Sequence, residues 1–199
     1  MNIRFRYDLI NFLIKKFEFS RYLEIGLDTG YNFNQIECDV KISVDPALPP
    51  YDYANPTFKM TSDEFFSKEA PNLDLFDIVF IDGLHESTQV DRDIYNSINR
   101  LAEGGFVVLH DCNPQSKEVQ EPIRSTHTWN GDVWKSVVKF KNGNSPLGCV
   151  VLNTDHGLGV ISSRILKTSK IDYKLDYEYL EKNRVEYLGL IDPQNLELL

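Results

Sequence analysis

Two short apolar segments with a helical pattern between them constrain the fold of this chain most. Phe76–Ile81 (FDIVFI) and Phe106–Leu109 (FVVL) are almost continuously apolar, which is typical of strands buried on both faces of a parallel sheet. Between them, apolar residues recur at helical spacing from Val90 to Leu101, and Glu103-Gly104-Gly105 is expected to end that helix. A strand, a helix and a strand in this order predict a right-handed crossover in a parallel, doubly wound α/β sheet.

The rest of the chain continues this alternation. Further strands are expected at Arg21–Gly26, Val40–Val44, Cys149–Leu152 and Gly159–Ile161, with a weaker candidate at Thr57–Met60. Helices are expected within Met1–Phe19, after the capping-box residues Thr61 and Glu64, and at Asp132–Lys141 and Leu175–Tyr187. We expect one domain over residues 1–199, with an insertion over the sheet at about 115–148 and a helical tail at about 172–199.

Composition and charge narrow the class of partner. The 199 residues are 42% hydrophobic and carry 21 basic against 30 acidic side chains, a formal net charge of -9. This is typical of a soluble globular protein, and it lacks the basic footprint of a nucleic-acid-binding domain. The longest apolar runs fall far short of the roughly 20 residues that a membrane span needs. Because Cys38, Cys112 and Cys149 show no C-x-x-C spacing, we expect a cytoplasmic protein without disulfides or a zinc site.

Polar and flexible residues follow the predicted strands, where open α/β sheets bind their ligands. Gly26 and Gly30 let the backbone approach a ligand closely, or they simply make a tight turn. Asp45 comes about 20 residues after this loop, a distance that suits a carboxylate bonded to ribose hydroxyls. Asp28 stands where a dinucleotide fingerprint has glycine, and its charge would repel a pyrophosphate. The loop therefore favours a cationic adenosine ligand without phosphate, such as S-adenosylmethionine (SAM).

Five segments, in this order and spacing, resemble the class I SAM-dependent methyltransferases: YLEIGLDTG, SVDP, TSDEFF, FDIVFIDGLHESTQVDRDI and LAEGGFVVLHDCNP. The sequence is most similar to the small bacterial branch near the sugar and macrolide-sugar O-methyltransferases. This resemblance implies a Rossmann-like, doubly wound seven-stranded sheet, mostly parallel with an antiparallel last strand, and SAM bound over the first two strands. In many of these enzymes a third glycine stands at the position of Asp28.

Expected cofactor contacts follow from the loops and the resemblance together. They are Glu24, Gly26, Asp28, Gly30, Asp45, Thr61, Ser62 and Asp82. The resemblance places Glu24, Gly26 and Gly30 at the methionine end of SAM. It places Asp45 at the ribose, and Thr61 with Ser62 near the adenine.

Methyl transfer to an oxygen needs a group that accepts the hydroxyl proton, or a metal ion that lowers its pKa. His85, three residues after Asp82, is the candidate base, and a structural histidine bonded to a carboxylate is the alternative. Asp82 and Asp111 end neighbouring predicted strands, so their converging carboxylates are candidate ligands of Mg²⁺ or another divalent cation. The expected catalytic set is His85, Asp82 and Asp111, and the expected substrate contacts are His110, Asn113, Trp129 and His156.

Three functions remain open from the sequence alone. The leading hypothesis is a SAM-dependent O-methyltransferase for a hydroxyl of a small-molecule or sugar acceptor. The alternatives are an NAD(P)-dependent Rossmann oxidoreductase and a SAM-binding protein without catalytic activity. Since the sheet does not select the acceptor, we expect acceptor contacts from the insertion, the tail or a second subunit of a homodimer.

Overall fold

The computed structural model describes residues 3–48 and 55–198 of the chain. The helices are α1 (Arg6–Phe17), α2 (Tyr31–Gln35), α3 (Ser62–Lys68), α4 (Ser87–Asn99), α5 (Val133–Asn142) and α6 (Tyr177–Leu188). The strands are β1 (Arg21–Ile25), β2 (Val40–Val44), β3 (Phe76–Ile81), β4 (Leu101–Leu109), β5 (Gly148–Leu152), β6 (Leu158–Ser162) and β7 (Leu190–Ile191). Short 3-10 turns lie at Ala70–Asn72 and Pro193–Leu198.

The strands form a single sheet in the order β2-β1-β3-β4-β6-β5-β7 within the described residues. β6 is antiparallel to both of its neighbours, and the other pairs are parallel. The predicted doubly wound, mostly parallel seven-stranded sheet is thus confirmed. The strand order reverses at β1, which lies between β2 and β3, and this reversal opens a crevice at the carboxyl ends of the strands.

The central strands are buried on both faces because successive side chains point to opposite sides of the sheet. Ile78 and Phe80 of β3 pack in the apolar cluster that contains Leu9, Ile10 and other buried residues of α1. Val79, between them, belongs to the opposite cluster, which contains buried residues of α3, α4 and α5. Helices therefore cover both faces, and the functional loops emerge at the edge between the two layers.

The capping box at the start of α3 is present as predicted. Thr61 is the N-cap, and its hydroxyl accepts a hydrogen bond from the Glu64 amide at 3.2 Å. The Glu64 carboxylate accepts one from the Thr61 amide at 3.3 Å. The helix expected within Met1–Phe19 is α1, and Met1, Asn2 and Leu199 of the predicted terminal segments lie outside the described residues.

The predicted end of the helix between β3 and β4 is wrong. α4 ends at Asn99, and β4 begins at Leu101, so Glu103-Gly104-Gly105 lies inside a strand. A Cβ on Gly105 would lie 2.6 Å from the carbonyl oxygen of Asp77, and the β3–β4 register shifts at this point. Gly105 permits this close approach of two strands, and the glycine pair does not end a helix.

Two further strand predictions differ from the structure. Thr57–Met60 contributes only an isolated bridge, between Phe58 and Val44, because its neighbouring residues do not continue the ladder. The short strand β7 was not expected, and it pairs with β5 beyond the helical tail. None of the helices in the described ranges has the length and apolarity that a bilayer crossing requires.

Candidate active site

A cavity of about 730 Å³ opens at the carboxyl ends of β1 to β4. Its wall includes most of the residues expected at a functional site: Gly26, Asp28, Asp45, Thr61, Ser62, Asp82, His85, His110, Asp111 and Trp129. A smaller neighbouring cavity of about 240 Å³ is lined by Glu24 and shares Arg6, Gly26, Asp28 and Asp82 with the first. Side chains that are far apart in the sequence thus meet at the crevice that the strand order creates.

The loop after β1 is held in a tight turn. Gly26 has φ 87°, and a Cβ at this position would lie 2.1 Å from the carbonyl oxygen of Asp82. Only glycine therefore allows the ends of β1 and β3 to approach this closely. Gly30, with φ 77°, is the N-cap of α2, so it shapes the loop from its far side.

Asp45 fastens the first two strand-end loops together. One of its carboxylate oxygens accepts hydrogen bonds from the Leu27 amide at 2.8 Å and the Asp28 amide at 3.4 Å. The other accepts from the Ala47 amide at 2.8 Å. The carboxylate also lines the larger cavity, so it is in place to meet a ligand hydroxyl there.

Glu24 is a buried carboxyl group at the floor of the smaller cavity, with 1% of its surface exposed. The Tyr22 hydroxyl donates a hydrogen bond to it, and the Asn32 amide donates a second at 2.9 Å. Burial raises its pKa to about 8 despite these two donors. At neutral pH the side chain therefore holds a proton that a nearby cation would displace.

Four residues from the ends of β3 and β4 form a compact cluster. His85 Nε2 lies 3.3 Å from Asp82 Oδ1, and His85 Nδ1 lies 3.3 Å from Asp111 Oδ2. His110 Nδ1 lies 3.3 Å from Asp82 Oδ1 and 3.1 Å from Asp111 Oδ2. The His110 contacts are ion-pair distances, since both ring nitrogens are buried without a well-aligned hydrogen bond. Each imidazole thus faces both carboxylates.

The insertion holds this cluster from above. The Trp129 ring stacks on the His85 ring, with centroids 4.8 Å apart and an angle of 22° between the planes. The Asn130 amide donates a 2.6 Å hydrogen bond to Asp111 Oδ1. Gly131 has φ 58°, and a Cβ there would lie 2.0 Å from the His85 carbonyl oxygen. This contact sets the position of the His85 backbone against the insertion.

Arg6, the first residue of the helix predicted within Met1–Phe19, reaches into the cluster from the start of α1. Its Nη1 donates to Asp82 Oδ2 at 2.5 Å, and its Nε donates to Asp155 Oδ2 at 3.1 Å. The Asp155 carboxylate also accepts from the Arg6 backbone amide at 2.8 Å and lies 3.5 Å from His110 Nε2. No local pattern could reveal this arginine, because its partners lie 76 and 149 residues away.

The mutual charges determine the protonation of the cluster. Burial would lower the pKa of His85, but its hydrogen bond to Asp82 and the charge of Asp111 outweigh burial and raise that pKa. The pKa of His110 is raised well above its usual value for the same reason, with Asp82 as the strongest charge. Burial would raise the pKa of Asp82, but His110, His85 and Arg6 hold it well below its usual range.

A second polar group missed from the sequence lies at the Thr61–Ser62 end of the cavity. Gln89 Nε2 contacts Ser62 Oγ at 3.2 Å and Asp93 Oδ1 at 3.0 Å. Asp93 has 1% of its surface exposed, and burial raises its pKa to about 6. Both residues line the cavity from α4, and the helical periodicity alone shows only that their apolar neighbours face the core.

Two of the expected substrate residues lie away from the cavity wall. Asn113 accepts a 2.6 Å hydrogen bond from Arg184 of α6 and donates one to Asn153 at 3.1 Å, so it anchors the tail. The His156 ring packs edge-on against the His110 ring, with centroids 5.8 Å apart. Their roles as substrate contacts stay predictions.

The expected metal site meets a conflict of charge. Asp82, His85 and Asp111 each offer a ligand atom within 4.8 Å of the others. However, Asp82 Oδ2 already pairs with Arg6, Asp111 Oδ1 pairs with Asn130, and the remaining two oxygens face His85 and His110. A hard divalent cation needs several free oxygen ligands, and a neighbouring positive group repels it. The residues present therefore do not fit such an ion.

The sequence of residues 23–112, from within β1 to just after β4, matches a protein family described as a methyltransferase domain. No curated protein is similar enough in sequence to count as a match.

Solved structures share the fold of this chain at low sequence identity. A protein of Klebsiella pneumoniae proposed to be an O-methyltransferase has a TM-score of 0.60 and 14% identity, covering 79% of each chain. The O-methyltransferase TomG of Streptomyces achromogenes, solved with SAM, has a TM-score of 0.57 and 15% identity, covering 79% of this chain and 78% of its own. A Bacillus cereus O-methyltransferase solved with S-adenosylhomocysteine (SAH) has a TM-score of 0.51 and 12% identity, covering 78% of each chain.

Proposed function

We propose that the protein is a SAM-dependent O-methyltransferase that acts on a hydroxyl group of a small-molecule acceptor, with sugars as one class of candidate. The observation that carries this proposal is the position of His85, paired with Asp82 and Asp111, at the wall of a cavity whose other end holds Asp45. A candidate proton acceptor and a candidate ribose ligand thus face one space. Three solved structures of the same fold are described as O-methyltransferases or as proposed ones, which supports the reaction class.

The cofactor-binding part of the proposal rests on the first three loops. The larger cavity would hold the adenosine part of SAM, and the smaller adjoining cavity would hold its amino-acid tail. Glu24 would meet the ammonium group, because a buried carboxyl group ionises most readily beside a cation. Asp45 would bind the ribose, and Ser62, Gln89 and Asp93 offer polar atoms for the adenine edge.

When bound, SAM supplies an electrophilic methyl group for an in-line displacement by oxygen. His85 takes the acceptor proton once its ring is neutral, and Asp82 and Asp111 then stabilise the imidazolium that forms. Since the pKa of His85 is raised, the neutral ring becomes more abundant as the pH rises above 6.5. The rate of methyl transfer should therefore increase as the pH rises above 6.5.

The acceptor would enter between the insertion and the cluster. Arg124, His127 and Trp129 line this side of the cavity. An indole ring offers an apolar face on which a sugar or another planar group can stack. In the present arrangement His85 occupies one face of Trp129, so the acceptor would meet the opposite face or the ring edge.

Calorimetric titration with SAH tests the cofactor part. We expect micromolar binding by the wild type and at least about tenfold weaker binding by Asp45→Ala, which loses a charged hydrogen-bond acceptor. Asp39→Ala, an exposed carboxylate on the loop before β2, is the matched control and should bind like the wild type. Binding of NAD without binding of SAM or SAH would reject the proposal in favour of an oxidoreductase.

A methyl-transfer screen with labelled SAM and a library of hydroxylated acceptors tests the catalytic part. His85→Gln should bind SAH normally and lose about 10²-fold or more in rate, the contribution typical of a general base. A His85→Gln rate equal to that of the wild type would show that His85 is a structural histidine. SAH binding without methylation of any acceptor would instead favour a non-catalytic SAM-binding protein.

A further inference from the structure

The arginine at the start of α1 pairs with Asp82 through the carboxylate oxygen that does not face His85 and His110. Its guanidinium contacts Asp82 Oδ2 at 2.5 Å and Asp155 Oδ2 at 3.1 Å, and it lines both cavities. Arg6 and Asp155 are thereby joined to the ends of β3 and β4, where the expected ligands Asp82 and Asp111 lie.

We infer that the guanidinium of Arg6 stands in for a divalent cation at the Asp82–Asp111 cluster, so that this protein binds no metal there. The catalytic part of this inference rests on the proposed function, in which His85 is the base. Arg6, rather than a metal ion, then stabilises the carboxylates that face His85. In this inference Arg6 acts through Asp82, so it is a positioning residue.

The position of Arg6 is built into the fold rather than being a chance surface contact. Its backbone amide donates to Asp155 at 2.8 Å, so two groups of one residue hold the same carboxylate. The helix that carries it is packed against the sheet through Leu9, Ile10 and Leu13, each at most 2% exposed. The guanidinium is therefore preorganised, and little side-chain entropy is lost when it meets Asp82.

Charge and geometry then oppose a metal ion. An ion that bridges Asp82 Oδ1 and Asp111 Oδ2 would enter the space between His85 and His110, which lie 3.1–3.3 Å from these two oxygens. It would also lie a few ångströms from the positive Arg6 group, and like charges in a poorly solvated site repel strongly. Without Arg6, Asp82 Oδ2 and the Asp155 carboxylate would lose their cationic partner, which would leave oxygens of the kind that a divalent cation binds.

Binding of Mn²⁺ alone, followed by electron paramagnetic resonance, tests the inference without an acceptor or a cofactor. The wild type should leave added Mn²⁺ free, whereas Arg6→Ala should bind one ion at least about tenfold more tightly than the wild type does. Adding Asp111→Asn to Arg6→Ala should abolish that binding. Arg6→Lys keeps a cation and should behave like the wild type, as should Lys15→Ala, which removes an exposed charge from the same helix.

Two results would overturn the inference. One is Mn²⁺ binding by the wild type that Asp82→Asn abolishes, and the other is an Arg6→Ala protein that is folded and still leaves Mn²⁺ free. Arg6→Gln, neutral but of similar length, replaces Arg6→Ala if circular dichroism shows that the alanine variant has lost its helices. SAH titration is independent of these readouts, so a failure of the proposed cofactor would be recognised separately from a failure of the metal substitution.

Discussion

Single residues in this protein have properties that their type alone does not provide. Glu24 is the clearest case, since burial raises its pKa to about 8, whereas Asp155 on the other side of Arg6 has a pKa of about 2. Burial would raise the pKa of Asp155 too, but the neighbouring His110 ring and the charge of Arg6 outweigh burial. The neighbours of these two carboxyl groups thus give them different protonation states at neutral pH.

The raised pKa of Glu24 predicts that ligand binding is linked to proton release. At pH 7 the free protein holds the proton, and a ligand ammonium group at the smaller cavity would favour the carboxylate. SAH affinity should therefore rise with pH from 4.5 to about 8, by as much as about tenfold per pH unit. Calorimetry in two buffers of different ionisation enthalpy measures the released proton. Glu24→Gln should release none, and an equal release by this variant would exclude Glu24 as its source.

Gly26 predicts a sharp penalty for one added methyl group. Gly26→Ala places a Cβ 2.1 Å from the Asp82 carbonyl oxygen and forces an unfavourable φ of 87° on alanine. We expect its free energy of unfolding in urea to fall by about 2 kcal/mol or more. Gly83→Ala is the control, because the nearest atom to its Cβ beyond the adjacent residues would be Ile25 Cγ2 at 3.6 Å. Its stability should stay within about 1 kcal/mol of the wild type, and equal losses in both variants would contradict the steric argument.

At the scale of elements, sequence patterns predicted those segments whose structure depends on local rules. β2, β3 and the start of α3 were predicted correctly because alternation, continuous burial and a capping box act within a few residues. The prediction for Leu101 to Gly105 was wrong because a glycine pair is equally compatible with two structures. One is the end of a helix, and the other is a strand that bulges against its neighbour. Only the partner strand distinguishes these two cases.

The capping box of α3 gives a prediction at this scale. Thr61→Ala removes the hydroxyl that accepts from the Glu64 amide, so the free energy of unfolding should fall by about 1 kcal/mol. Ser67→Ala, an exposed site near the end of the same helix, should change it by no more than about 0.5 kcal/mol. Chemical denaturation followed by circular dichroism measures both. Equal stability of Thr61→Ala and the wild type would show that the box contributes nothing to the folded state.

The whole molecule combines a rigid sheet with two long irregular segments on its surface. Residues 115–128 and 166–176 contain no helix or strand and are largely exposed. The central strands β3 and β4, by contrast, are almost fully buried from Ile78 and Phe106 onward. The first segment ends beside Trp129 at the cavity, so local opening there would affect the candidate site, whereas opening of the second would not.

Limited trypsin digestion should reveal this difference. Cleavage is expected first after Arg124 in the first segment and after Lys167, Lys170 or Lys174 in the second. Because Arg124 lines the cavity, SAH should slow cleavage there several-fold. The second segment is an internal control whose cleavage rate should not change. Mass spectrometry of timed samples gives both rates, and equal slowing at the two segments would indicate a general stabilisation instead.

The sequence by itself determined the alternation of strands and helices, the doubly wound class of the sheet and the position of polar residues at the strand ends. These features depend on periodicity and on residues a few positions apart. Both can be read directly from one sequence. Only the tertiary structure decided that Arg6 meets Asp82 and Asp155, that Trp129 covers His85, and that Asn113 anchors the tail. These contacts join residues 44 to 149 positions apart, and such pairings depend on how elements pack rather than on any local pattern.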